Sequence, residues 1–182
     1  MTTITPDEMK SLETLFMSET GTPSILLMEH AAQGVAAAIA RHAPKSARVL
    51  FLCGPGNNGG DGYAAARLWC LGGGQADVWE VTSAVRGDAL TNRTLALLHG
   101  VRVLPSADAV DVAEYAAVVD ALYGTGLNHA IEGDAAILIH RLSDHPQIPV
   151  IAVDIPSGLD GTTGRALGAD VVRAFPDEAK RD

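Results

Sequence analysis

Apolar residues follow two rhythms along this chain. In "RVLFLC" (48–53), "YAAVVDAL" (115–122) and "IPVIAVDI" (148–155) they run almost unbroken, as in strands buried on both faces. "DVWEV" (77–81) and "VRVL" (101–104) are shorter runs of the same kind. Elsewhere apolar positions recur at helical spacing: Ile25, Met28, Ala32, Val35, Ala36 and Ile39 in one stretch, then 61–71, 88–99 and 134–143. The stretch 107–114 is ambiguous, with room for one short helical turn. Near the N-terminus, Thr5, Pro6 and Glu8 fit an N-cap, a first helical residue and a capping-box glutamate. Pro23 is expected near the first turn of the second helix, where Met28, Ala31, Ala32 and Val35 form a small-residue surface for close packing.

Strands alternating with helices predict parallel pairing through right-handed crossovers, hence a three-layer α/β/α sandwich with a mostly parallel sheet. The 182 residues suffice for one well-buried domain, 1–182. In such a sheet ligands bind beyond the carboxyl ends of the strands, where the strand order reverses. With the usual order three-two-one-four-five, the reversal falls between strands one and four. Strand one runs into "GPGNNGGDG", strand four into "DALYGTGLNHAIEG" and strand five into "DIPSGLDGTTG". All three loops are glycine-rich and each brings an aspartate. Strands two and three lead into "TSAVRGD" and "PSADAVD", which read as ordinary connections.

Charge and composition narrow the chemistry. A net charge of −9 argues against a broad grip on nucleic acid, although free N–H groups at a helix start can hold one small phosphorylated ligand. No apolar run is long enough to span a bilayer, and "MTTITPDEMK" lacks the apolar stretch of a signal peptide. These features predict a cytoplasmic protein without a membrane partner. Cys53 and Cys70 read as reduced, buried thiols. The histidines are scattered singly, and Ser157 lacks the G-x-S-x-G context of a serine hydrolase.

The loop after strand one is the first candidate. Gly59, Gly60 and Gly62 allow a tight turn and a close approach to a ligand, with a helix expected from about Asp61. The plainer alternative is an ordinary turn capped by Asp61. The amides of Asn57 and Asn58 suit a hard cation or a polar ligand. Asp120 and Asp154 close two neighbouring apolar strands. Both carboxylates ionised there would repel each other, so either one is protonated or a cation sits between them. A cation on oxygens of Asn58, Asp120 and Ser157 would leave Asp154 free as acid or base.

Four segments, "LMEHAA" (27–32), "CGPGNNGGDGYAAARL" (53–68), "VDALYGTGL" (119–127) and "VDIPSGLDGTTG" (153–164), together resemble the NAD(P)H-hydrate epimerase family over about residues 5–174. The resemblance implies a Rossmann-like fold. It also implies interconversion of the R and S epimers of hydrated NADH and NADPH, NAD(P)HX, in nicotinamide nucleotide repair. By motif, Asn57, Asn58, Gly59, Gly60 and Asp61 would contact substrate, as would Gly124, Thr125, Gly126, Leu127, Asn128, His129 and Ala130. Asp154 would be the catalytic carboxylate and a substrate contact. Asn58, Asp120 and Ser157 would hold a potassium ion. A homodimer through the N-terminal helices is implied, as is a separate NAD(P)HX dehydratase as functional partner.

The sequence departs from the family in three places. His30 stands where asparagine is usual, and His129 where a basic residue is. After residue 174 comes "FPDEAKRD" in place of the family's last strands, which would leave strand five at an edge. The alternative is therefore a non-catalytic nucleotide-binding or dimerising scaffold of the same fold, inactive through C-terminal shortening.

Overall fold

The computed structural model describes residues 4–167. Helices α1 (Pro6–Thr20) and α2 (Ser24–His42) precede β1 (Arg48–Cys53), α3 (Asn57–Leu71), β2 (Gln75–Glu80), α4 (Gly87–Leu98) and β3 (Arg102–Val103). Two 3₁₀ turns, Ala107–Ala109 and Val112–Glu114, lead to β4 (Ala117–Ala121), α5 (Gly133–Ser143) and β5 (Val150–Ala152). All the strand pairs are parallel, in the order β3-β2-β1-β4-β5. The reversal therefore falls between β1 and β4, as the sequence predicts.

The unbroken apolar runs follow from burial on both faces of the sheet. Val49, Phe51 and Cys53 of β1, with Ala117, Val119 and Ala121 of β4, pack against α2, α3 and α4. Leu50, Leu52 and Val118 face the other way, onto Ala135, Leu138, Ile139 and Leu142 of α5 and the 3₁₀ turns. These two cores make the three layers.

Local signals start and stop the helices. Thr5 Oγ1 accepts from Glu8 N–H at 3.3 Å, and Glu8 Oε2 accepts from Thr5 N–H at 2.7 Å, the reciprocal capping box. Gly21, at φ 68°, ends α1 in the left-handed conformation. No residue of α1 is buried, and Met9, Leu12, Leu15 and Phe16 are each about half exposed.

The structure corrects several boundaries. The buried stripe of α2 is Met28, Ala32, Val35 and Ile39, whereas Ala31 faces solvent. The ambiguous stretch forms two short 3₁₀ turns rather than one. Strand β5 keeps only three residues, because Asp154 takes a left-handed conformation at φ 66° that cannot continue an extended ladder. Helix α3 starts at Asn57, one turn earlier than expected, with Gly56 as N-cap. The "FPDEAKRD" segment and the expected loss of family strands lie outside the described residues.

Candidate functional site

The three glycine-rich loops meet at the carboxyl edge of the sheet, over the β1/β4 reversal. After β1 the chain turns into α3 within three residues. Gly60 N–H donates to Gly56 O at 3.1 Å, closing the first helical bond. The preceding amides of Asn57, Asn58 and Gly59 have no partner inside the helix, as at any helix start. They lie at the positive end of the helix dipole, where anions bind readily.

The loop's glycines answer to the protein's interior. A Cβ on Gly59 would collide with the carbonyl of Gly54 in the loop, and one on Gly62 with Ala121 and Cys53 of the sheet. Gly59, Gly60 and Gly62 are all buried within the helix. Gly60 in turn packs against Met28 of α2 and Ala89 of α4, and the exposed side of the loop is Pro55, Gly56 and Asn57. Asp61 is not an N-cap. It lies in the second turn of α3, half-buried, on the same side as Asn58.

Asp154 is the one non-glycine residue at positive φ among the described residues. Such a conformation is strained for a residue bearing a Cβ and collects at functional positions. Its side chain is fixed by Thr125 N–H, which donates to Oδ2 at 2.8 Å. A Cβ on Gly124 would collide with that same oxygen and stand 3.4 Å from Asn58 Oδ1. Gly124 thus leaves room for Asp154 and Asn58 to converge. The Asn58 amide nitrogen is buried without a protein partner, so a ligand has an unused donor to meet.

The carboxylates pair differently from the sequence expectation. Asp120 and Asp154 do not oppose one another. Asp120 is fully buried, and its neighbours are neutral donors: Ser157 N–H at 2.7 Å, Ser157 Oγ at 2.5 Å and Leu122 N–H at 3.2 Å. Burial pushes the Asp120 carboxyl above its ordinary range, against the pull of those hydrogen bonds. Asp154 instead acts on Asp61, which burial first, then Asp154, then Glu13 of α1 raise to about 7.

Ser157, also buried, ties the second and third loops together. Its Oγ accepts from Tyr123 N–H at 2.9 Å and lies 3.0 Å from the Tyr123 carbonyl. Asp120, Ser157 and the Tyr123 carbonyl form a set of hard oxygen donors in which the carboxylate has no cationic side chain beside it, and Asn58 Oδ1 lies by Gly124 in the same loop cluster. That chemistry fits a weakly charged, oxygen-ligated cation. Among the described residues no three His, Cys, Asp or Glu side chains group as metal ligands.

The remaining predicted contacts line the rim. Leu127 is buried and anchors the second loop, while Gly126, Asn128, His129 and Ala130 are exposed. His129 Nδ1 lies 3.2 Å from Asn128 Oδ1. Asp160 serves the fold rather than the crevice. Its Oδ1 accepts from Thr162 N–H, Thr163 N–H and Thr163 Oγ1, and these bonds hold its carboxyl below the ordinary range. Sequence reasoning missed Glu13 as a neighbour of Asp61, since nothing in the spacing of α1 points to the loop after β1. It also missed Thr125 N–H as the anchor of Asp154, because a backbone donor leaves no mark on the sequence.

Comparison with known proteins agrees with this architecture. The family model described as "YjeF-related protein N-terminus" matches residues 24–175. A bifunctional NAD(P)H-hydrate repair enzyme of Thermanaerovibrio acidaminovorans is 38% identical over 157 residues, covering 83% of this chain and 31% of that enzyme. The chain thus spans under a third of that relative. An NAD(P)H-hydrate epimerase of Limosilactobacillus fermentum is 29% identical over 168 residues, covering 92% of this chain and 80% of the relative. The crystal structure of the yeast protein YNL200c superimposes with a TM-score of 0.78 at 24% identity, over 88% of this chain and 72% of that one, and so shares the fold. The chain belongs to the YjeF-related protein N-terminus family, that of the NAD(P)H-hydrate epimerases.

Proposed function

We propose that the protein is an isomerase that interconverts the R and S epimers of hydrated NADH and NADPH. The observation that carries this reading is Asp154. It is held in a strained left-handed conformation and anchored by Thr125 N–H. Its carboxylate reaches Gly124 in the loop after β4, which borders the strand-order reversal where this fold class places its ligands.

Each group has a part in the reaction. The free amides of Asn57, Asn58 and Gly59 receive the dinucleotide phosphates. The loop Gly124, Thr125, Gly126, Leu127, Asn128, His129 and Ala130 closes the other wall. The unpartnered Asn58 amide donates to the substrate. Asp154 is the catalytic carboxylate, moving a proton as the carbon–hydroxyl bond breaks and reforms on the opposite ring face. Asn58, Asp120 and Ser157 would hold potassium, whose charge neutralises the buried Asp120 carboxylate when bound. A second copy of the chain would cover Met9, Leu12, Leu15 and Phe16 of α1 as a homodimer. An NAD(P)HX dehydratase in the same cytoplasm would consume the product.

The test is a coupled assay. Mixed epimers of hydrated NADH are treated with excess S-specific dehydratase in potassium buffer, and the slow consumption of the R form is followed. The protein should accelerate this phase. Asp154→Asn should slow it by about 10²–10⁴-fold, the usual contribution of a positioned acid–base group. Folded protein that leaves the slow phase unchanged would overturn the proposal in favour of a non-catalytic scaffold.

A further inference from the structure

We propose that Asp61 is a second catalytic carboxyl group, the acid that complements Asp154 across the crevice. This rests on the epimerase reading and deepens it.

The geometry brings the two groups together from different elements. Asn58 and Asp61 lie three residues apart and share one side of α3. Asn58 Oδ1 faces the gap at Gly124, into which Asp154 Oδ2 also projects. Asp61 therefore stands one turn behind an amide that already borders Asp154, and the two carboxyl groups interact electrostatically. Their surroundings differ. Asp154 is exposed and receives the Thr125 N–H. Asp61 is half-buried, and among the described residues no donor reaches its oxygens.

The charged side chains that act on Asp61, Asp154 and Glu13, both favour its neutral form. Asp154 approaches from the loop after β5 and Glu13 from α1. The other charged groups packed along α3 are occupied elsewhere. Arg67 pairs with Glu29 of α2, and Arg93 of α4 is held by Glu80 at 2.7 Å. The carboxyl accordingly loses its proton only near pH 7. Two carboxyl groups whose environments differ in this way make an acid and a base out of one residue type.

The step balances. Asp61 gives its proton to the substrate hydroxyl, the carbon–oxygen bond breaks, and water leaves with the electron pair. The lone pair of the adjacent ring nitrogen forms a carbon–nitrogen double bond, leaving a cationic ring between two carboxyl groups. Water adds to the opposite face as the π pair returns to nitrogen, and its surplus proton passes to Asp154. Asp154 then returns the proton to Asp61 directly or through solvent, and nothing is oxidised or reduced.

The experiment is the pH profile of kcat/KM for wild type, Asp61→Asn, Asp154→Asn and Glu13→Gln. Folding is checked by circular dichroism and nucleotide binding by calorimetry with NADP. Wild type should lose activity as pH rises through about 7. Asp61→Asn should bind NADP normally, fall in rate by about 10²–10⁴-fold and lose that alkaline limb. Glu13→Gln removes an exposed carboxylate of α1, outside the three crevice loops. It should keep its maximal rate and move the limb a few tenths of a unit lower. An Asp61→Asn protein that retains the rate and the limb would overturn the assignment while leaving the epimerase reading intact. Wild type with no activity at any pH would overturn both.

Discussion

Asp77 and Asp120 are both aspartates buried in the central sheet, one on β2 and one on β4. The chain treats them differently. Asp77 receives Arg102 through two bonds of 2.9 and 2.6 Å, the Tyr115 hydroxyl at 2.9 Å and Arg48 at 3.6 Å. Glu80, at the carboxyl end of the same strand, is likewise matched by Arg93, at 2.7 and 2.8 Å. Asp120 receives only a hydroxyl and two backbone amides. Where a buried carboxylate has a structural task, the fold supplies an arginine. At Asp120, beside the crevice loops, it supplies neutral donors alone. This contrast is the physical support for a cation at Asp120.

The contrast can be broken by mutation. Asp77→Ala should cost about 2–4 kcal/mol in urea unfolding, since it strands two arginines and a tyrosine hydroxyl, although both arginines are open enough to hydrate. A cost no larger than that of an exposed aspartate would remove the distinction. Potassium tests the other side. Replacing tetramethylammonium by saturating potassium should stabilise wild type by about 1–3 kcal/mol, as expected for a ligand that binds only the folded state. Asp77→Ala should keep that gain and Asp120→Asn should lose it. An equal gain in both variants would mean that potassium acts elsewhere.

Asp61 adds a third case, a carboxyl with neither arginine nor strong donors. Its folded value of about 7 lies above the unfolded 3.8. Between these values the native state holds a proton that the unfolded state has released, so the group's contribution falls as pH rises and is fully lost above about 7. Asp61→Asn should therefore match wild type near pH 4 and exceed its stability at pH 8. The difference is about 1–2 kcal/mol once solvent screening is allowed for. Urea midpoints at the two pH values decide it, and equal differences at both would contradict the burial assigned to Asp61. The smallest effect belongs to Asp154→Gly. It relieves the left-handed backbone and should stabilise by about 0.5–1 kcal/mol in thermal unfolding while abolishing activity. A loss of stability there would show that the Thr125 bond outweighs the strain.

The sequence alone determined the layers and, with the usual strand order taken for this fold class, the edge of the sheet that carries the crevice. Burial on both faces writes an unbroken apolar run into every central strand, and parallel topology then limits where loops can converge. That the loops carrying Asn58, Gly124 and Asp154 come together was legible for the same reason. Tertiary structure decided which groups face each other within that crevice. Asp120 and Asp154 follow neighbouring strands, yet Asp154, in its left-handed conformation, takes the Thr125 N–H and acts on Asp61, while Asp120 takes Ser157 and the Leu122 N–H. The glycines of α3 also serve packing, Gly59 against the loop at Gly54, Gly60 against Met28 and Ala89, and Gly62 against Cys53 and Ala121 of the sheet, because only the folded chain shows what would meet an added Cβ. Glu13 lies forty-eight positions before Asp61 and enters its field only through folding. Strand periodicity is a local property that the sequence records residue by residue. The charge state of a carboxyl depends on burial and on distant neighbours, and these exist only once the chain is packed.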